Sequence, residues 1–503
     1  MNAKYVDRLT LFLRCALGVS AAAYLAVYIL IACYRIRSPF EIEWFEGTLV
    51  DHVQRILNGE SLYVAPSLKF VPCMYTPFYY FVAAVVAKLT GIGFFPLRFV
   101  SFIASLGCFA AIFLIVRQRA ASLFPCFIAA GLSAATFRIG GGWFDVARID
   151  SLFLFCFLAA VLLLSYEPSP RRYILAGCFI SLSILTKQTA LMMSAPLIVY
   201  CFFASRRCFL FLLGAILLAL GGSSVVLNYL SGGWYLYYVY TLPTYQTYTP
   251  DLFLQFWRYD LASHLSIALL ASVAFLCYKL LKAARKDGFF WFTMFIGMVG
   301  CAWISRVHNG GYDNVLMPAY AAICILFGMS VDLFPRLLQS KPGVGRSIFK
   351  AVFYLACLVQ FEQLIYRPQD QLPTAADARA GQQFIEAVSQ INGEVFMPSH
   401  GYLPVLAGKQ TYANEMNLFD VLRGTESEKE AMKKELTDAI RNQRFSAIIL
   451  DSPTSDHWLA LPEFDRYYIK QQSLLEDSPA FFPVTGLRTR PDTIYVPRNI
   501  PRE

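Results

Sequence analysis

Charge is scarce in this chain. Only 15% of its 503 residues are Asp, Glu, Lys or Arg, while 57% are apolar and the mean hydropathy is +0.49. Soluble domains carry roughly a quarter charged residues, so this balance excludes a soluble globular protein and predicts an integral membrane protein. Close-spaced cysteine pairs are missing too. The thirteen Cys are scattered, and Cys15, Cys108, Cys156 and Cys178 lie inside apolar runs. That excludes a disulfide or zinc framework and reads as small buried hydrophobes. No phosphate-cradling glycine loop and no internal repeat occurs, so ATP-driven transport is not encoded here. The net charge of +9 is read by location, because Lys and Arg beside membrane segments set orientation. No nucleic-acid partner is expected.

What the chain has in abundance is long apolar runs. A span needs about 20 residues, and suitable segments fall near 10–33, 97–116, 121–138, 150–166, 173–186, 188–204, 209–228, 261–281, 288–304, 314–333 and 350–365. The first is read as a retained span, since it runs on past about 20 residues without a small-residue cleavage site. A further stretch, 77–90, is assigned to the outer face on charge grounds. The connections holding Arg117 and Arg119, Arg171 and Arg172, Arg206 and Arg207, Lys279 to Lys286, and Arg336 to Lys350 then share the side of Lys4 and Arg8. The short connections opposite hold only Arg138, Arg148, Lys187, Arg258 and Arg306. By the positive-inside rule the N-terminus is cytoplasmic in an inner (plasma) membrane.

The expected fold is therefore an all-α polytopic membrane protein, with about eleven transmembrane helices and amphipathic helices on its outer face. Residues 1–365 form the membrane domain, with a large first outer loop over 34–96. Residues 366–503 are richer in charge, and helical stretches (382–390, 427–443) alternate with strand-like runs (Glu394 to Met397, Ser446 to Leu450). They read as a small extracytoplasmic α/β domain.

The outer face carries the chemistry-bearing residues. Loop one opens with an acidic turn, Glu41, Glu43 and Glu46. Leu49, Val50, Val53, Ile56 and Leu57 then recur at helical spacing opposite Asp51, His52, Gln54 and Arg55, an interfacial amphipathic pattern ended by Gly59. A second loop, Arg138 to Asp150, places Asp145, Arg148 and Asp150 within one or two turns, close enough for an ion-paired network. Lys187 lies between two apolar segments, where it needs water or an anion. Tyr residues crowd 229–259, where an aromatic belt, a sugar or an isoprenoid tail would suit them. Ser305 to Asn314 is polar and includes His308, a phosphate-site candidate that reads equally as a hydrogen-bonded loop residue.

Acids in one outer loop, cations in several others and apolar spans beneath them suit a lipid-phosphate-linked sugar donor. Its tail dissolves among the spans and its phosphate takes the cations. A carboxylate removes the proton of an acceptor hydroxyl, and direct displacement inverts the anomeric carbon. Cations stabilise the charge that builds on the leaving phosphate. The acceptor is a glycan, lipid or protein. A secondary transporter or glycolipid flippase is the alternative, but charges sit at span ends and no half-to-half symmetry shows. A membrane scaffold displaying 366–503 leaves the one-sided polar residues unexplained.

At Glu43-Trp-Phe-Glu46-Gly47, Gly59-Glu-Ser-Leu-Tyr63, Tyr75-Thr-Pro77, Arg148-Ile-Asp150, Leu185-Thr-Lys187 and Gly311-Tyr-Asp-Asn314 the chain resembles the membrane-embedded C-type glycosyltransferases. The likeness is to bacterial polyprenyl-phosphate-sugar-dependent relatives of protein O-mannosyltransferases and aminoarabinose transferases, over roughly residues 1–330. The resemblance implies a hexosyl or pentosyl transferase with a loop-one acid as base. In those families the acid is commonly the Asp of an Asp-Glu pair, and spacing to the Gly59 turn puts that pair on Phe45-Glu46. Glu46 is thus the first candidate, Glu43 the second and Glu41 the third. Asp145 or Asp150 would orient the acceptor or hold a divalent metal, although no D-x-D is present. Arg138, Arg148, Lys187, Arg258 and Arg306 are candidate phosphate contacts, with His308 and Tyr75 as further substrate contacts.

Overall fold

The computed structural model describes residues 3–282, 285–337, 344–452, 458, 461, 464–471, 473, 475 and 479–499. Residues 283–284 and 338–343, within two of the basic connections named above, lie outside that set. Every one of the eleven apolar segments coincides with helix, as it must in hydrocarbon, where each backbone polar group needs an internal partner. Among the described residues six helices are long and apolar enough to cross a membrane: Lys4–Arg35, Phe94–Arg117, Arg206–Leu230, Leu252–Lys282, Lys286–Val307 and Asp313–Leu337. Shorter apolar helices span Phe78–Thr90, Leu123–Ala135, Asp150–Leu164 and Ala190–Ala204. These helices make the chain an integral membrane protein. All thirteen cysteines are free thiols, most of them buried.

The elements that carry the site are α1 (Ala3–Arg35), α2 (Glu46–Leu57), α3 (Phe78–Thr90), α4 (Phe94–Arg117), α5 (Leu123–Ala135), α6 (Asp150–Leu164), α7 (Pro170–Ile184) and α8 (Ala190–Ala204). Helix α7 starts at a side-chain cap from Ser169 to the Arg172 amide, with Pro170 in the first turn. One bundle core joins α1, α4, α5, α6 and the later helices through Tyr28, Ile112, Phe157 and Leu326. The late helix Asp313–Leu337 is central, its apolar window wholly buried, whereas Arg206–Leu230 is almost wholly exposed. In a membrane protein that exposed apolar surface faces lipid.

Beyond the bundle, β1 (Val395–Phe396), β2 (Ala447–Ser452), β3 (Tyr468–Lys470) and β4 (Arg490–Pro497) form a sheet in the order β1-β2-β4-β3. Strands β1 and β2 are parallel, with Val395 opposite Ala447, while β4 runs antiparallel to β2 and β3. The helices Ala375–Ser389 and Glu426–Arg441 accompany them, so the C-terminal region combines helices and sheet as its sequence pattern suggests. Its core is continuous with that of loop one. Trp44, Phe45, Leu49, Val50 and Val53 pack in one cluster with Phe396, Leu418, Ile448 and Leu450. Phe40 packs with Phe384 and Phe481 in another.

This shared core changes the reading of α2. The apolar face is buried as expected at Leu49, Val50 and Val53, but so are two polar residues, Asp51 at 9% and His52 at 1% exposure. Thr411 of the C-terminal region donates to Asp51 at 3.1 Å, and the Cys73 amide of loop one donates to His52 Nε2 at 2.9 Å. The first half of α2 is thus an internal strut between membrane bundle and C-terminal region, while Gln54, Arg55 and Asn58 keep a wet side on its last turns.

Candidate active site

Four buried acid–base pairs line the seam between loop one, the loop at 136–149 and the upper ends of the bundle helices. They are Arg35–Asp145 at 3.2 Å, Arg98–Glu46 at 2.6 Å, Arg148–Glu43 at 3.5 Å and Lys187–Asp150 at 2.7 Å. The expected Asp145–Arg148–Asp150 network is not what forms. Each of the three pairs with a residue from another segment, because the 136–149 loop turns back through Gly141 and Gly142 at φ +72° and +70°, a left-handed conformation open to glycine. The turn lets the Gly142 carbonyl accept from Arg35 at 3.0 Å and the Gly141 carbonyl accept from Thr485.

Arg98 is the residue that sequence reasoning missed. It sits in the first turn of α4, inside an apolar run, and its guanidinium is wholly buried. It donates to both Glu46 oxygens (2.9 and 2.6 Å) and to the carbonyls of Ser38 and Phe40 (2.7 Å each). Glu46 in turn accepts from the Ala147 amide at 2.6 Å and the Ile42 amide at 2.7 Å. Burial disfavours the charged carboxylate, but Arg98 and these donors outweigh it and hold Glu46 below the usual carboxylate range. Glu46 thus ties the acidic turn, the 136–149 loop and α4 together with both oxygens engaged. The signal was available: a lone Arg within a span is costly unless paired.

Glu43, three residues earlier, sits differently. It is fully buried, its Oε2 lies 3.5 Å from Arg148 Nη1, and its Oε1 has no hydrogen-bond partner among the described residues. Burial raises its pKa to about 8, since Arg148 compensates only in part and Glu46 and Glu41 add repulsion. Arg148 lies over the rings of Phe45 and Trp143 at 4.9 and 4.8 Å, and its Nη2 is 3.4 Å from the Tyr75 hydroxyl. Such stacking favours a planar cation. Glu41 accepts from the Gly47 amide at 3.1 Å and contacts His400 at 2.5 Å.

Asp150 opens α6, where the helix N-terminus favours an anion. Its Oδ1 takes both Lys187 at 2.7 Å and Asn314 at 2.9 Å, and its Oδ2 is buried without a hydrogen-bond partner among the described residues. Lys187 reaches it from the α7–α8 turn. No group of three or more His, Cys, Asp or Glu side chains with metal-site spacing occurs among the described residues, and Asp145 and Asp150 each face a cation.

The remaining candidates stand apart. Arg306 forms a bidentate pair with Asp260 (2.9 and 3.1 Å) and also meets Asp313 at 3.3 Å. His308 packs at a tilt against Tyr248, ring centroids 4.5 Å apart. Arg258 is exposed over the Tyr259 ring, and Arg138 is exposed. Tyr312, stacked on Trp143 at 6.3 Å, bridges this second group to the first.

Buried ion pairs thus gather at one end of the helical bundle, against the C-terminal region. The family model for dolichyl-phosphate-mannose-protein mannosyltransferases matches residues 74–229. ArnT from Cupriavidus metallidurans, solved with undecaprenyl phosphate, superposes with a TM-score of 0.56 at 11% identity, over 95% of this chain and 97% of that one. The oligosaccharyltransferase AglB from Archaeoglobus fulgidus, in complex with an inhibitory peptide and a dolichol-phosphate, gives 0.53 at 12% identity over 95% and 76%. No curated protein sequence matches the chain. The chain shares the overall fold of these solved membrane proteins, and its residues 74–229 match the mannosyltransferase family model.

Proposed function

We propose that this protein transfers a hexose or pentose from a polyprenyl-phosphate-linked donor to a hydroxyl of a glycan, lipid or protein acceptor. The reaction takes place on the extracytoplasmic face of the inner membrane, with the N-terminus in the cytoplasm. The observation that carries the reading is Glu43, a dry carboxylate with one free oxygen beside Arg148, in a fold shared with structures that hold undecaprenyl phosphate and dolichol-phosphate.

In the reaction, Glu43 Oε1 accepts the acceptor's hydroxyl proton as the oxygen attacks the anomeric carbon. The bond from that carbon to the phosphate oxygen breaks, and the sugar inverts. Arg148 and Lys187 take the negative charge growing on the phosphate, where a water-poor setting strengthens their effect. Tyr75 and Asn314 donate further hydrogen bonds, and Asp150 fixes Lys187. Spacing to the Gly59 turn favours Glu46 as base, but its oxygens are engaged by Arg98 and two amides. A base needs a lone pair free to meet the substrate, so Glu43 takes the role. Gly486 packs against Glu43, where an added Cβ would lie 2.9 Å from Oε1.

The test is incubation of the purified protein with polyprenyl-phosphate sugars and mass spectrometry of the lipid product. Release of free polyprenyl phosphate matched by glycosylated acceptor is expected. Donor that crosses a liposome bilayer with its sugar–phosphate bond intact would instead establish the flippase alternative.

A further inference from the structure

We propose that His400, supplied by the C-terminal region, is a positioning residue for the acidic turn. It holds Glu41, and through Glu41 it sets the register of Glu43 against Arg148. The proposal rests on the glycosyl-transfer reading of that centre.

The linkage is continuous from the sheet to the start of α2. Thr489 donates to Asp451 Oδ2 at 2.6 Å, the same oxygen lies 2.9 Å from His400 Nε2, and His400 Nδ1 lies 2.5 Å from Glu41 Oε2. The other oxygen of Glu41 accepts from the Gly47 amide, in the first turn of α2. The imidazole is 2% exposed with a carboxylate on each side, a setting in which it carries its proton: burial disfavours the cation, but Asp451 and Glu41 outweigh it and raise its pKa well above the ordinary value. Glu415, whose carboxyl is pushed up to about 7 by burial, also interacts with His400.

Local backbone geometry agrees. The ladder between β2 and β4 slips register between Leu450 and Asp451, and such irregularities re-aim a side chain. Gly401 and Gly47 meet with no room for a Cβ: one on Gly401 would lie 2.4 Å from Asp51 Oδ2, and one on Gly47 would lie 2.8 Å from the Tyr402 amide nitrogen. Glu43 itself pairs in a parallel bridge with Thr485. The C-terminal region thus holds the turn from two sides, and the mechanism above uses neither Glu41 nor His400. The imidazole also borders a cavity of about 210 Å³ lined by Phe40, Glu41, Leu403 and Phe481. Engineered cavities of roughly 150 Å³ admit benzene, so imidazole fits.

The experiment uses the full chain in lipid nanodiscs with a polyprenyl-phosphate sugar donor. His400→Ala is expected to lower kcat at least tenfold with donor KM unchanged, and added imidazole to restore kcat at least threefold without helping Glu43→Gln. His400→Gln, which keeps a neutral hydrogen bond, should fall between. Independently of activity, hydrogen exchange over residues 41–47 should speed up in His400→Ala while the bundle helices keep wild-type protection. If His400→Ala keeps wild-type kcat, or exchange over 41–47 is unchanged, the proposal is overturned. If His400→Ala loses protection throughout the bundle, it is overturned as well, because His400 is then a general stability residue. A wild-type protein that transfers no sugar sinks the parent reading, whereas faster exchange at 41–47 still supports the linkage.

Discussion

The two sides of the acidic turn hold chemically similar pairs and treat them oppositely. On one side Arg98 and Glu46 saturate each other and four backbone groups. On the other, Arg148 and Glu43 touch at 3.5 Å and leave Glu43 Oε1 and Arg148 Nε without hydrogen bonds. A buried charge with unmade bonds costs stability. The first pair is satisfied within the protein, whereas the second leaves polar atoms that a ligand could complete. Residue type alone could not make the distinction.

The comparison breaks most sharply at Glu43. In the proposed mechanism Glu43→Gln keeps shape and removes the base, so transfer should fall by about 10²–10⁴, the usual worth of a general base, with no loss of thermal stability. Steady-state kinetics beside a melting curve checks both. Arg98→Met should do the reverse, since it strands Glu46 as a buried unpaired charge at a cost of about 3–5 kcal/mol. Expression and melting temperature should drop, and Arg98→Met with Glu46→Gln should recover part of the loss. Equal behaviour of Glu43→Gln and Glu46→Gln in both assays would erase the distinction.

Much of the fold is legible in the sequence because apolar runs and backbone satisfaction in lipid leave few choices, and all eleven runs are helical. The site was legible as a set of segments and not as a set of pairs. Asp145, Arg148 and Asp150 are close in sequence, yet Gly141 and Gly142 turn the chain so that their partners come from α1, the acidic turn and the α7–α8 turn. Periodicity on α2 predicted a polar face wet along its length, because nothing local announces that Thr411 will meet Asp51 or that Cys73, Phe70 and Tyr80 will enclose His52. Arg98 was hidden by the apolar run around it.

Among the smaller effects, Lys187→Met should raise donor KM about tenfold or more, in line with roughly 1.5–3 kcal/mol for a hydrogen bond to a charged group. A fall in kcat as well would mark action on the charge that grows on the leaving phosphate, whereas unchanged kcat and KM would place Lys187 away from the phosphate. Arg306→Gln is expected to do far less: the pair with Asp260 is half-buried and already satisfied, so its loss should cost at most about 1 kcal/mol and leave donor KM within twofold.

The pH profile is the finest probe, because activity and stability should move in opposite directions. Glu43 works as a base only when ionised, so with its pKa near 8 kcat should rise about tenfold per pH unit below 8 and level off above. The folded-state pKa lies above the unfolded value of 4.5, so the native chain binds the proton more tightly. The resulting stability is fully present below about pH 4.5 and lost as pH rises through 8. Glu43→Gln should flatten both curves. A Glu46→Gln variant that keeps the rising kcat limb near pH 8 confirms that the titrating base is the glutamate with the open oxygen; a limb that vanishes there assigns the titration to the saturated side of the turn.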